Sequence, residues 1–353
     1  MIHKVIIHAQ AYQNLTRHAA RIQAGTIEIG AYLRKLLINT EPSALNAEVL
    51  LNLLLQTKLP QIFAESQVLG DGTDWSLAEL KLLGDIGVAC LVTIYDDGRH
   101  QKPSIHESVF TGQLLFTPGA LLRNDLGKTP ADWDVVDADG RIDPEAYYQL
   151  YLHRLLPLLR HADQTAGQRN AKAFITVPGL GCGQFAGPFQ GQLGLALQQV
   201  LQRLLAAHAE SLPNISAVYY DPYQECRNEH FTYAHLDLWV RPLAQNHGQF
   251  PQLSHPRLFS QGSRDYSQCL LFSVVAWDHV SWPGNDFYLG ARITDDGVKA
   301  AATDVMSCLT GIPGEYDKSN HKYQPPHPYR NWLDVVVANQ IELSGGDQVL
   351  VFA

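Results

Sequence analysis

The sequence has few charged residues and no run of basic ones. Charged residues make up 17% of its 353 residues, and 26 basic against 35 acidic side chains give a net charge of −9. A nucleic-acid groove that works by neutralising phosphates is therefore not expected. Apolar residues make up 46% of the chain, which excludes a largely disordered protein and is typical of a globular α/β protein.

Cysteine is scarce, and long apolar runs are missing. The five cysteines, at positions 90, 182, 226, 269 and 308, form no CxxC pair, which argues against a zinc ribbon and against a small disulfide-stapled domain. The apolar stretch at residues 48–56 is too short to span a bilayer, and the first residues lack the features of a signal peptide. We therefore predict an intracellular, cytosolic protein with no metal site, no cofactor and no membrane contact.

The spacing of apolar residues divides the chain at about residue 75. Between residues 11 and 63 the spacing is helical, which predicts a helical N-terminal extension over residues 1–75. From residue 76 onward, short β-branched runs alternate with amphipathic segments, which predicts an α/β domain over residues 76–353 with a mixed sheet between two layers of helices. Strands are predicted at residues 88–95, 114–116, 173–177, 217–220, 270–276 and 349–352, and helices at residues 147–161, 193–204 and 298–309.

A cluster of glycines lies between a predicted strand and a predicted helix, in the segment Val177 to Gly191 (VPGLGCGQFAGPFQG). Glycines allow close backbone approach, and the N–H groups of such a turn can bind a diphosphate at the start of a helix. Glycine-rich turns between strand and helix also occur without a ligand. From composition alone, anion binding and a purely structural turn are equally good interpretations.

The run from Gly181 to Gly187 (GCGQFAG) resembles the diphosphate-binding loop of the macrodomain family, most closely the GCGAFGG form of poly(ADP-ribose) glycohydrolases. The resemblance implies that Phe185 packs on the distal ribose of ADP-ribose, although an ordinary core position is the alternative for this side chain. The GGG…QEE catalytic loop of the glycohydrolases is missing, so their glutamate-based mechanism is not expected. The residues that the resemblance assigns to the diphosphate are Gly181, Cys182, Gly183, Gln184 and Gly187.

Carboxylates cluster in a second segment, which follows the predicted strand at residues 270–276. Carboxylates packed beside glycine and asparagine are costly to bury without a partner, which makes them candidates for contacts with hydroxyl or amine groups of a ligand. A solvated helix start is the alternative interpretation, in which Thr294 or Asp295 caps the following helix. The candidate ligand-binding and catalytic residues of this segment are Asp278, Asn285, Asp286 and Asp296.

The order of the two segments implies a permuted macrodomain. Asp278 suits the macrodomain aspartate that binds the adenine amine, and Asn285 suits the asparagine that binds the distal ribose. The spacing of Asp278, Asp286 and Asp296, together with the glycine run, is similar to MavL-like macrodomain effectors, ADP-ribosylhydrolases that remove ADP-ribose from arginine of modified ubiquitin. This resemblance covers residues 88–353. It implies a macrodomain-like fold, ADP-ribose or ADP-ribosylated protein as the ligand, ubiquitin as a candidate partner, and delivery into a host cell.

The chemistry implied by the resemblance is hydrolysis at the anomeric carbon of the distal ribose. Such a reaction passes through an oxocarbenium-like state, in which carboxylates prepare the attacking water and stabilise positive charge. Asp286 and Asp296 are the candidate catalytic residues. A helix start stabilises the Asp296 anion and lowers its basicity, which makes Asp286 marginally the better proton acceptor.

Two other functions stay open at this point. One is a reader that binds ADP-ribose without cleaving it, and the other is a cysteine hydrolase with Cys182 as the nucleophile. The sequence also leaves open the modified target, its linkage, the role of the N-terminal helices and the oligomeric state.

Overall fold

The computed structural model of the chain describes residues 3–62, 65–245, 249–345 and 348–353. Its strands are β1 (His3–His8), β2 (Ile86–Asp96), β3 (Ile105–Pro118), β4 (Lys172–Pro178), β5 (Ile215–Asp221), β6 (Glu229–Tyr233), β7 (Leu236–Val240), β8 (Cys269–Trp277), β9 (Glu315–Asp317), β10 (Lys322–Gln324) and β11 (Val349–Phe352). Its α-helices are α1 (Ala9–Gln23), α2 (Ala31–Leu37), α3 (Ala47–Thr57), α4 (Leu77–Gly84), α5 (Pro144–Gln168), α6 (Leu193–His208), α7 (Asp295–Ala302), α8 (Val305–Thr310) and α9 (Trp332–Ala338).

A mixed sheet of nine strands forms the centre of the fold. Its strand order is β11-β1-β2-β3-β8-β4-β5-β7-β6, and β9 and β10 form a separate two-stranded sheet. The five neighbouring strands from β3 to β7 in this order run parallel to one another, whereas β2 and β6 are antiparallel to the strands beside them. The parallel strands end at one edge of the sheet, so the loops that follow them lie together.

Helices cover both faces of the sheet. Side chains alternate between the faces along each central strand, so Leu114 and Phe116 of β3 belong to one apolar cluster and Leu115 to the other. The first cluster also contains side chains of α1 to α4 and α7 to α9, and the second contains those of α5 and α6. This layering confirms the predicted mixed sheet between helices. No helix in the described ranges combines the length and the apolar character that a bilayer span requires.

Most predicted elements are present, with one error near the aspartates. Each predicted strand lies within a strand of the sheet, and the helices predicted at residues 147–161 and 193–204 lie within α5 and α6. The single helix predicted at residues 298–309 is wrong, because α7 and α8 are separate helices. Asp304 lies between them, and its carboxylate accepts a hydrogen bond from the Thr93 N–H (2.7 Å) in β2.

The N-terminal segment contributes a strand as well as helices. In β1, Val5 is opposite Val88 of β2 on one side and Val349 of β11 on the other, a pairing that the apolar spacing did not predict. Helices α1 to α4 pack into the same apolar cluster as α7 to α9. The division into an extension over residues 1–75 and a domain over residues 76–353 stays a prediction.

Candidate functional site

Three loops meet at the edge where the parallel strands end. β8 lies between β3 and β4 in the sheet, although β4 precedes it in the sequence. We call the loop after β4 the glycine loop (residues 179–187), the segment after β8 the aspartate segment (residues 278–297), and the loop after β3 the β3 loop (residues 119–125). Ligands of open α/β sheets bind at such strand ends. The topology therefore brings the two segments singled out in the sequence to neighbouring strand ends.

The glycine loop packs tightly against the β3 loop. Gly181 has a left-handed backbone (φ 72°), and a Cβ there would lie 2.8 Å from the Ala120 nitrogen. Gly187 is also left-handed (φ 54°), and its Cβ would lie 2.5 Å from the Leu122 carbonyl oxygen. A Cβ at Gly183 would meet no described atom within 4 Å. The fold therefore requires glycine at positions 181 and 187, whereas Gly183 leaves open space at the loop.

Polar contacts continue this packing along the two loops. The Leu122 N–H donates to the Phe185 carbonyl oxygen (2.8 Å), and the Arg123 guanidinium donates to the Gln184 side-chain oxygen (2.6 Å). Arg123 also pairs with Asp125 (2.6 Å) and remains 38% exposed. The Phe185 ring is half-buried against the core. No sequence pattern indicates Arg123, because only the strand order shows that the β3 loop lies beside the glycine loop.

Cys182 is half-buried within the glycine loop. Its Sγ lies 3.6 Å from the Leu180 carbonyl oxygen. Burial, with a smaller contribution from Glu225, raises the pKa of the thiol well above its ordinary value. A nucleophilic cysteine needs the opposite shift, because the thiolate is the attacking species. The geometry therefore disfavours a cysteine hydrolase that uses Cys182.

Asp278 follows β8 directly and is buried. Its Oδ1 accepts hydrogen bonds from the N–H groups of Val280 (2.9 Å) and Ser281 (2.6 Å). Its Oδ2 accepts from the Ser281 hydroxyl and from the Asn285 amide (2.8 Å). A carboxylate offers about four lone-pair sites, and these four donors use them. Asp278 therefore fixes Asn285 in this geometry, and its contact with an adenine amine stays a prediction.

Asp286 connects the short helix Asn285–Leu289 to the start of α7. Its Oδ2 accepts hydrogen bonds from the N–H groups of Ile293 (2.8 Å) and Thr294 (3.4 Å), and its Oδ1 accepts from the Thr294 hydroxyl. Thr294 in turn accepts from the Gly297 N–H (2.9 Å), which confirms that Thr294 caps α7. A Cβ at Gly297 would lie 1.8 Å from Asp286 Oδ1, so this packing requires glycine. Three donors leave about one lone-pair site of Asp286 open.

Asp296 is the most perturbed carboxyl group of the aspartate segment. It is buried in the first turn of α7, and its Oδ1 accepts a hydrogen bond from the Gly284 N–H (2.7 Å). Its Oδ2 has no hydrogen-bond partner among the described residues. Burial raises the pKa of Asp296 well above its ordinary value, and the nearby Asp278 and Asp286 raise it further. The expectation that the helix start lowers the basicity of Asp296 is wrong, because burial outweighs the helix dipole.

Two more buried polar atoms of this segment resemble Asp296 Oδ2 in having no hydrogen-bond partner among the described residues. The Oδ1 of Asn285 and the hydroxyl of Tyr288 lack hydrogen-bond partners in the part of the chain that the structure describes. Burial raises the pKa of Tyr288 well above its ordinary value, and Asp296 adds to the increase. Buried polar groups are nearly always hydrogen-bonded to protein, water or ligand. The two ring nitrogens of His279 also lack a hydrogen-bond partner within the described ranges, but they lie beside the carboxylates of Glu65 and Asp132. Apart from these nitrogens, the segment offers three polar atoms that a ligand or water can satisfy.

The N-terminal segment supplies two buried charged residues to this region. Lys58, which follows α3, donates from its Nζ to the His279 carbonyl oxygen (2.6 Å) and lies 3.9 Å from the centre of the Trp277 ring. Burial lowers the pKa of Lys58 to about 8, although Asp278 opposes the shift. Glu65 accepts a hydrogen bond from the His279 N–H (3.0 Å). These hydrogen bonds join residues 221 and 214 positions apart, so no local sequence pattern indicates them.

A cavity of about 570 Å³ lies elsewhere, between the N-terminal ends of α5 and α6. Tyr148, Phe189 and Arg203 are among its lining residues, and none of the candidate site residues lines it. Arg203 is paired with Glu145 (2.6 Å). We place the candidate site between the glycine loop and the aspartate segment, because the open backbone of Gly183 lies in the first and the perturbed carboxyl group of Asp296 in the second. Within the described ranges, no group of three or more His, Cys, Asp or Glu side chains is arranged to hold a metal ion.

Comparison with protein families finds a match over most of the chain. The model of the family described as "Macrodomain effector MavL" matches residues 3–329. A search of curated proteins finds no match. The matched range includes the glycine loop, the aspartate segment and the N-terminal helices. It therefore confirms the resemblance carried by the first two and extends it to the N-terminal segment.

Proposed function

This chain belongs to the macrodomain effector family MavL, and from that premise we propose that it binds ADP-ribose between the glycine loop and the aspartate segment. The diphosphate lies against the backbone of the glycine loop, where Gly183 leaves room for it. The distal ribose lies at Asn285, whose side-chain amide is fixed by Asp278 and whose Oδ1 is available to a hydroxyl. Phe185 packs on this sugar.

We further propose that the chain hydrolyses the bond between ADP-ribose and a modified protein. The observation that carries this proposal concerns the buried Oδ2 of Asp296. The described residues supply no hydrogen-bond partner for this atom, and the carboxyl group to which it belongs has a raised pKa. A carboxyl group that retains its proton near neutral pH can act as a general acid. An ordinary surface carboxylate has lost its proton at that pH and cannot act in this way.

The reaction then uses the two aspartates in different roles. Water attacks the anomeric carbon of the distal ribose, and the bond from this carbon to the leaving nitrogen breaks. The proton of Asp296 passes to the leaving nitrogen, and Asp286 accepts a proton from the water through its remaining lone-pair site. The backbone and hydroxyl donors on Asp286 hold its carboxylate in one orientation while it acts.

The substrate that best fits a general acid is ADP-ribose linked to arginine. Its leaving group is a strongly basic guanidine, which accepts the proton of Asp296 as the bond to the anomeric carbon breaks and departs as a guanidinium. Ubiquitin is the candidate modified protein, on the basis of the resemblance to MavL-like hydrolases. An effector acts after delivery into a host cell, and we propose the same for this chain.

Release of ADP-ribose from protein carrying arginine-linked ADP-ribose tests the proposal. The purified chain is mixed in excess with arginine-modified ubiquitin and, separately, with glutamate-modified protein, and free ADP-ribose is measured over time. We expect release from the arginine linkage, and loss of that release in Asp296→Asn. Asp304→Asn is the matched control, because Asp304 lies in the same part of the chain and its replacement keeps an oxygen for the Thr93 N–H. Binding of ADP-ribose without release from either substrate would instead identify a reader.

A further inference from the structure

A second group of buried charges lies beside the aspartates and takes no part in the proposed reaction. The side chains of Glu65, Asp132, Arg154 and His279 are at most 3% exposed, and Asp85 is 16% exposed. Glu65 belongs to the N-terminal segment, Asp85 follows α4, and Asp132 follows the β3 loop. Arg154 lies in α5, and His279 lies in the aspartate segment. Removing charges from water is unfavourable unless they are closely paired, so this group calls for a specific arrangement.

The His279 ring lies at the centre of this group. Its Nδ1 contacts the Glu65 carboxylate, and its Nε2 lies 3.3 Å from Asp132 Oδ2. Asp132 also receives two hydrogen bonds from the Arg154 guanidinium, at 2.7 and 3.0 Å. Arg154 Nε lies 3.5 Å from Asp85 Oδ1. The ring therefore bridges two carboxylates from different parts of the chain, and a second cation completes the group.

The same charges fix the β3 loop. Asp132 Oδ2 accepts a hydrogen bond from the Leu121 N–H (2.8 Å), and Arg154 donates to the Gly119 carbonyl oxygen (3.0 Å). Gly119 lies directly against the glycine loop, because a Cβ at this position would be 2.2 Å from the Gly181 nitrogen. The position of the glycine loop therefore depends on Asp132 and Arg154 through the β3 loop.

On its other side, His279 belongs to the aspartate segment. It follows Asp278, whose carboxylate fixes Asn285. Its own N–H donates to Glu65 (3.0 Å), so both its backbone and its ring are held by the N-terminal segment. The imidazole is thus the direct link between the segment that carries Asn285 and the residues that hold the glycine loop.

We propose that His279 is a positioning residue that sets the separation between the aspartate segment and the glycine loop, and so the affinity for ADP-ribose. This inference rests on the proposed function. The bridge requires the imidazolium form, because only a cation attracts both carboxylates. Ligand affinity therefore depends on the charge of a residue that does not touch the ligand.

Because this role requires a charged His279 ring, it predicts that ADP-ribose affinity depends on pH. The ring faces Glu65 from the N-terminal segment and Asp132 from the chain after the β3 loop. Asp132 is paired with Arg154, which also contacts Asp85 directly after α4, and the backbone carbonyl oxygen of His279 accepts a hydrogen bond from Lys58. Burial alone lowers the pKa of His279, but Glu65 and Asp132 outweigh it and raise the pKa to about 9. Burial likewise raises the pKa of the Glu65 carboxyl group, and the neighbouring His279 opposes that shift. ADP-ribose affinity is therefore expected to fall as pH rises through about 9.

The test measures ADP-ribose affinity by calorimetry between pH 6.5 and 10, with circular dichroism at each pH to check folding. We expect His279→Gln to bind about tenfold more weakly at pH 7, on the scale of a typical coupling between sites, and to lack the alkaline fall. We expect Glu65→Gln to keep the fall but to move its midpoint to lower pH, because one carboxylate that stabilises the cation is neutralised. A purely structural role would move stability and leave this midpoint unchanged.

Lys58 is the necessary control, because its pKa of about 8 also lies in the alkaline range. The alkaline fall should persist in Lys58→Met. If the fall disappears in Lys58→Met, or if Glu65→Gln leaves its midpoint unchanged while the wild type binds ADP-ribose, the inference is wrong and the proposed function stands. If the wild type does not bind ADP-ribose at any pH, the proposed function fails and the inference fails with it. Should His279→Gln not fold, the midpoint of Glu65→Gln decides alone.

Discussion

Replacing Asp296 by Asn should strongly reduce turnover while leaving the fold at least as stable. The amide oxygen of Asn can keep the hydrogen bond from the Gly284 N–H (2.7 Å), and its NH₂ group takes the place of Oδ2. The variant removes the proton that we assign to the leaving group. We expect single-turnover release to fall by about a hundredfold or more, the range for loss of a positioned acid, and ADP-ribose affinity to change by no more than about tenfold.

The same variant has a defined effect on stability. A carboxyl group whose pKa is higher in the folded than in the unfolded chain destabilises the fold as pH rises above the unfolded pKa of about 3.9. Each unit of such an increase corresponds to about 1.4 kcal/mol. Asp296→Asn removes this destabilisation, so its unfolding temperature should equal that of the wild type near pH 4 and exceed it at pH 7.5.

Differential scanning fluorimetry at the two pH values, beside the release assay, measures both effects. Wild-type turnover in Asp296→Asn would refute the acid role of this residue. An unfolding temperature that is lower than that of the wild type at pH 7.5 would refute the argument from burial. If Asp296 donates the proton, wild-type turnover should also fall as pH rises through the raised pKa of this group, which a pH–rate profile detects.

Three further outcomes follow from the geometry of the site. Gly183→Val should keep the unfolding temperature of the wild type, because its Cβ meets open space in the protein. It should weaken ADP-ribose binding by about a hundredfold or more, because the side chain blocks the backbone from the diphosphate. Gly181→Val should instead lower the unfolding temperature, because Gly181 has φ 72° and Ala120 lies close to it. Asp278→Ala should weaken ADP-ribose and ribose 5-phosphate alike if its role is to fix Asn285, whereas a loss confined to ADP-ribose in calorimetry would support contact with adenine. Cys182→Ser should release ADP-ribose within about twofold of the wild-type rate, and a loss near that of Asp296→Asn would restore the cysteine as a candidate.

The sequence was most informative where a few adjacent residues determine the structure. The glycine loop could be located because its strand, glycines and helix are consecutive, and Gly181 and Gly187 have the left-handed backbone that such a loop uses. The cap of α7 could be predicted for the same reason, because Thr294 and Gly297 are three residues apart.

Contacts between distant residues could not be predicted from a single sequence. Nothing in the local sequence indicates that β8 inserts between β3 and β4, or that Lys58 and Glu65 reach the chain around His279. The raised pKa of Asp296 could not be predicted for a related reason. The helix start is visible in the sequence, whereas the burial that outweighs it depends on the packing of the whole fold.

The central claim is that ADP-ribose binds between the glycine loop and the aspartate segment. The most direct test is a calorimetric titration of ADP-ribose into the wild-type chain and into Gly183→Val, whose added side chain meets no described protein atom within 4 Å at its Cβ. We expect one ADP-ribose per wild-type chain and no measurable binding to a folded Gly183→Val. Absence of binding to the wild type, or equal affinity in the variant, would contradict the claim.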